Sequence, residues 1–193
     1  MATRSIPVTN NPEANQLLVT NPFALLVGML LDQQIPMEWA FLGPYTLQER
    51  LGKPLDAATV AAMEPDALEA LFREKPALHR YPGSMAKRTH ALAQTIVDRY
   101  GGETSTIWKS AKTGEELYRR LRELPGFGDE KAKIFMAVLA KRLGIRPKGW
   151  EQVAAPFSDD TPRSVADITG PDALERVREF KKLMKTQGKG KDG

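Results

Sequence analysis

The stretch Leu-Pro-Gly-Phe-Gly, residues 124–128, separates two helical patterns and leaves no room for a linker between them. Before it, Leu117, Leu121 and Leu124 recur at three- and four-residue spacing. After it, Ala132, Phe135, Met136, Leu139 and Leu143 do the same. Such spacing marks one face of an α-helix. Gly126 and Gly128 permit positive φ and close backbone approach at the junction. The segment therefore reads either as an ordinary helix–helix connection or as a helix-hairpin-helix. In the second case the following helix aims its unpaired N–H groups and positive dipole end outward, where a phosphate can sit. The full set of apolar positions favours the second.

The same periodicity runs through most of the chain. Between Asn21 and Gln34 the residues Phe23, Leu26, Val27, Leu30 and Leu31 form one apolar face, and Leu25 and Met29 extend it to the other side. A helix apolar on most faces belongs in the centre of a core. Asn21 is suited to its N-cap and Pro22 to its first position, while Pro36 ends or kinks it. Further helices are predicted at residues 37–51, 57–62, 65–73, 84–100, 113–123, 129–143 and 171–184, with turn signals such as "GKPLD", "YPGS" and "GGETST" between them. No alternating strand and no internal repeat is found. The expected fold class is all-α, a single two-lobed domain over residues 1–186 with a cleft between the lobes.

Two segments depart from this pattern. Residues 144–161, "GIRPKGWEQVAAPFSDDT", form a long connection rich in turn formers, of a kind that is usually functional or disordered. The lysine- and glycine-rich tail from Gln187 to Gly193 is predicted to be disordered.

The chain has no cysteine, which excludes disulfides, thiolate zinc sites and iron–sulfur clusters. Lys and Arg outnumber Asp and Glu by 28 to 24, a surplus that permits a polyanionic partner without demanding one. The N-terminal residues lack the apolar centre of a signal peptide, and no apolar run approaches the roughly 18 residues of a membrane span. A cytoplasmic monomer with no membrane partner is expected.

The hairpin has company. "NPFALLVGMLLDQQIP" at 21–36 resembles the endonuclease III superfamily segment that runs Asn-Pro-Phe, then an apolar helix, then a Gln. Leu31 to Ile35 is closer to its 3-methyladenine DNA glycosylase II-like branch. "YPGSMAKRTHALAQTIVDRYGG" is similar to that branch's lobe-closing helix, and "SDDTPRSVADI" resembles the Asp-Thr segment that carries the catalytic aspartate. In this order, across residues 18–184, the chain resembles an HhH-GPD DNA glycosylase.

The resemblance implies that a damaged or modified base is flipped from duplex DNA and its N-glycosidic bond hydrolysed. It places the catalytic aspartate at Asp160, with Asp159 in reserve. A fixed carboxylate there would stabilise the oxocarbenium charge that builds on the sugar; read without the family, both aspartates could simply cap the turn before Pro162. Gln34 would enter the duplex to fill the gap, and Gln33 would be structural or rim-facing. Pro125, Gly126, Phe127, Gly128 and Lys131 would meet DNA, and hairpin carbonyls 124–128 would hold K+ or Na+, with no metal on side chains. Bifunctional members carry a nucleophilic lysine where this chain has Glu130, and Lys131 stands one place off, about 100° round the helix. Hydrolysis without lyase chemistry is expected, the alternatives being a lyase that uses Lys131 or a DNA-binding protein without turnover.

Aromatic residues at helical spacing are usually core. Trp39, Tyr45 and Phe157, together with Glu130, are the candidates for lining a base pocket, ahead of Phe41, Trp108 and Trp150. His79 and His90 show no ligand spacing and read as surface or capping residues. The basic clusters at 87–88, 119–122 and 141–142 could track phosphates or could be solvated helix faces.

Overall fold

The computed structural model describes residues 4–188. The chain is all-α, with 64% helix and no strand among the described residues. The first two helices begin where side chains cap them. Asn11 accepts from the amides of Glu13 and Ala14 to start α1 (Pro12–Thr20), and Asn21 accepts from Ala24 N–H to start α2 (Pro22–Leu31). Asn21 also donates to the Leu55 carbonyl at 2.7 Å, which ties this corner to the next loop. Residues Phe23 to Leu31 of α2 are all buried, as the two-sided apolar pattern required.

Against this central helix pack α3 (Met37–Leu51) and α6 (Pro82–Tyr100), and α4 (Ala57–Ala61) and α5 (Pro65–Arg73) pack on α6. The chain continues through α7 (Thr106–Lys109), α8 (Gly114–Arg122), α9 (Asp129–Leu143) and α10 (Trp150–Ala154). A 3₁₀ turn (Val165–Asp167) and α11 (Pro171–Thr186) complete it. Their buried apolar side chains, from Ile6 to Val177, join in one contiguous cluster. Burial of that cluster is the main force for folding.

Several elements differ from expectation. The central helix stops at Leu31 rather than Gln34, because Gln33 N–H turns back to the Leu31 carbonyl at 2.7 Å. α1 and the short α7 have no counterpart among the predicted helices. The long connection is partly helical: α10 lies within it, held against α8 by a bond from Gly114 N–H to the Lys148 carbonyl at 2.8 Å. Of the tail expected to be disordered, Gln187 and Gly188 form a turn and residues 189–193 lie outside the described residues. No single helix among the described residues is long and apolar enough to cross a membrane.

Candidate nucleic-acid interface

The predicted hairpin is formed by α8 and α9. Its turn is closed by a bond from Phe127 N–H to the Leu124 carbonyl at 3.1 Å. The two glycines play different parts. Gly126 has φ +83°, and a Cβ there would sit 2.3 Å from Leu30 Cδ1, so glycine lets the turn press against α2. Gly128 is extended, with φ −78° and open space around the Cβ position, so the fold itself does not require glycine there. Gly126 and Gly128 are exposed and Pro125 is half-buried. The DNA-contact reading of Phe127 is corrected for its side chain. The ring is buried and meets Phe135 edge-on at 6.0 Å, which leaves only its backbone for a ligand.

α9 starts at Gly128 without a side-chain cap, so its first amides have no such acceptor. Two carboxylates stand in this first turn. Asp129 accepts from the Tyr118 hydroxyl and pairs with Lys133 at 3.3 Å, and these contacts hold its carboxyl below the usual range. Glu130 is exposed beside it.

Lys131 links the hairpin to the end of α2, donating to the carbonyls of Met29 at 2.7 Å and Leu30 at 3.1 Å. His79 serves the same helix end. Its Nε2 lies 3.1 Å from the Leu31 carbonyl and 3.0 Å from that of Gln33, while Nδ1 accepts from Tyr81 N–H. Nδ1 is thus an acceptor and Nε2 carries the proton. Burial pushes the imidazole pKa below its ordinary value against the pull of the two carbonyls, and Lys131 and Arg88 add to the depression. His79 is therefore a buried helix cap, neutral at physiological pH, and not a surface residue. His90 is half-buried, with Nε2 3.2 Å from the Met63 carbonyl. Gln33 is held at both ends of its amide, by the Leu30 carbonyl at 2.9 Å and by Arg88 at 3.1 Å.

With these carbonyls satisfied, Gln34 stands out. It is exposed and, among the described residues, is the non-glycine residue with positive φ, at +57°. That conformation is sparsely populated for a side-chain-bearing residue. Trp39 lies just beyond, 38% exposed, its indole donating to the Ala77 carbonyl and its ring stacked on His79 at 6.4 Å. Tyr81, which sequence reasoning missed, extends the row, with Arg80 over its ring at 5.6 Å. No spacing in the sequence signals this row, since Trp39 and Tyr81 come from separate elements.

Two other pocket candidates are placed elsewhere. Tyr45 is six residues beyond Trp39, about 9 Å along α3. Its hydroxyl donates to Glu13 on α1 at 2.7 Å, which raises the phenol's pKa. Phe157 is 1% exposed and belongs to the core.

The aspartates form a second group. Asp159 pairs with Arg163 at 3.0 Å and accepts from Thr161 N–H. Burial would raise its pKa, but these two partners outweigh it and hold the carboxyl below its usual range. Lys141 donates to the Asp159 carbonyl and pairs with Asp167 at 2.6 Å. Asp160 is exposed at the mouth of a pocket of about 410 Å³ shared with Lys141, Arg142, Arg146 and Trp150. Lys131 and Lys141 mark the two groups, ten residues apart on α9 and so about 15 Å along its axis. The predicted site residues are thus gathered at opposite ends of one helix. α11 connects them: Arg178 pairs with Glu38, Lys181 approaches Met37 Sδ, and Phe180 lies under Arg163. No group of three or more His, Asp or Glu side chains that could hold a metal occurs among the described residues. Comparison with family models, curated proteins and solved structures finds no match.

Proposed function

We propose that this chain binds duplex DNA through the α8–α9 hairpin, opens it with Gln34, and hydrolyses the N-glycosidic bond of a modified base with Asp160 as the carboxylate. In this reading it adopts the HhH-GPD arrangement and acts as a monofunctional glycosylase. The observation that carries it is the juxtaposition of an uncapped helix N-terminus with an exposed, strained glutamine, joined through Lys131. Phosphates would supply sequence-independent affinity at the first and base contacts would arise at the second. K+ or Na+ would sit on the turn carbonyls of residues 124–128, of which those of Leu124 and Gly128 also accept amides.

Lys131 disfavours the lyase alternative. A Schiff-base nucleophile must reach the sugar carbon, whereas the Lys131 amine is held by the carbonyls of Met29 and Leu30. Borohydride is therefore expected to trap no covalent adduct on abasic DNA. A trapped adduct lost in Lys131→Ala would reverse that assignment.

A second reading has its own observation. Asp160 lies at the far end of α9 from the hairpin, and duplex binding without turnover needs no carboxylate near Gln34. Duplexes with one methylated, deaminated, oxidised or mismatched base separate the two. Strand breaks that need alkali support the glycosylase; tight binding without breaks supports the binder.

A further inference from the structure

The pocket beside Asp160 has a lining whose hydrogen-bonding capacity is not used. Arg142 Nε and Trp150 Nε1 are buried, and within the described residues neither meets an acceptor. Both groups can only donate, and a buried donor without a partner is destabilising. Both residues line the same hollow of about 410 Å³, together with Arg146 and the Thr169 side chain. Arg142 reaches the Ile168 carbonyl only at 3.5 Å, and Arg146 uses its Nε on the Ala140 carbonyl at 3.2 Å. Lys141 is already balanced by Asp167. Arg4 and the same two arginines line an adjoining hollow of about 340 Å³, so positive charge continues past the rim.

Of the pocket's two carboxylates, Asp167 is taken up by Lys141 and the amides of Arg163 and Ser164, and Asp160 is exposed, so the buried donors call for a ligand that brings acceptors and negative charge. A phosphate group fits, because its oxygens match guanidinium donors and take several bonds at once. The volume lies within the range of about 300–1,000 Å³ typical of small-molecule pockets. We propose that this pocket, at the α9 end opposite the hairpin, binds the phosphate of a small phosphomonoester of nucleotide size, with Arg142, Arg146 and the Trp150 indole as its donors. Asp160 stands at the mouth as a like charge that limits affinity. The pocket shares Asp160 with the proposed glycosylase, but its phosphate donors lie outside the hairpin and the Gln34 turn, and a titration without DNA lets the two readings fail separately.

The test is a titration of the indole N–H resonances at constant ionic strength, with Trp150→Phe used to assign the Trp150 signal. The probes are inorganic phosphate, a nucleoside monophosphate and the unphosphorylated nucleoside. Both phosphates should move the Trp150 signal saturably and leave Trp39 and Trp108 in place; a stronger response to the monophosphate points to a nucleotide, an equal one to free phosphate. Arg142→Gln and, separately, the exposed Arg146→Gln should each weaken binding about tenfold or more, the loss expected for a charged hydrogen bond. Asp160→Asn should strengthen it severalfold. The proposal is overturned if the Trp150 signal responds equally to chloride, if the nucleoside alone produces the shift, or if Arg146→Gln binds phosphate as the parent does.

Discussion

Gln34 shows how a single residue can carry a functional expectation that its neighbours do not share. Gln33 and Gln34 are adjacent and chemically identical, yet one amide is bound at both ends and the other is exposed on a left-handed backbone. Nothing in the residue types separates them; the difference arises because the turn after α2 brings the Gln33 amide back to the Leu30 carbonyl and within reach of Arg88 from α6. Gln34→Ala should therefore keep phosphate-driven affinity for duplex but lose base unstacking, read with a fluorescent base analogue at the target position. Equal unstacking in parent and variant would make Gln34 a turn residue only. His79 gives a second prediction. Its pKa is depressed in the folded state, so below the unfolded value of about 6.5 the unfolded chain binds the extra proton and stability falls with pH. Thermal midpoints should decline between pH 7.5 and 5.5, and His79→Gln should flatten that part of the decline. An unchanged slope would show that His79 does not titrate in the unfolding step.

At the scale of elements, helices with strong punctuation were legible. α3, α5 and α9 have the predicted limits, the last two marked by Pro65 and by the Gly128 and Gly144 pair. α1 was missed because only Ala14 and Leu18 of its nine residues are buried, too few to produce a periodic face. α10 was hidden among turn formers, and its position depends on a backbone contact with α8 that no local pattern announces. Tyr45 and Phe157 were misplaced for a related reason, since nearness in sequence to Gln34 or Asp160 says nothing about which side of a helix faces them. The hairpin glycines separate fold from function. Gly126→Ala should lower stability by about 1–2 kcal/mol for the left-handed backbone alone, with more from the Leu30 contact, as read by denaturant midpoint. Gly128→Ala should leave that midpoint within about 0.5 kcal/mol and still weaken binding to any duplex, damaged or not. If Gly128→Ala binds duplex as tightly as the parent in matched salt, no phosphate approaches that turn.

Across the whole molecule, the path of residues 144–161 decides where Asp160 lies relative to the hairpin. The sequence order places Asp160 downstream of the hairpin, but only the folded path shows it near Lys141 rather than Lys131. α11 spans the interval between the two groups and brings Arg178 and Lys181 to the helix that follows the Gln34 turn. An extruded nucleotide that reached Asp160 would have to pass along this face of α9. The most direct measurement is single-turnover excision on duplexes that each carry one modified base, comparing the parent with Asp160→Asn and Asp159→Asn. The account predicts alkali-dependent strand breaks for at least one substrate, slowed on the order of 10²–10³-fold in Asp160→Asn by loss of a placed charge. Asp159→Asn should keep the rate, because Asp159 is committed to Arg163 and the Thr161 amide. Excision that survives in Asp160→Asn, or a parent that opens duplex through Gln34 and breaks none of the substrates, would contradict it.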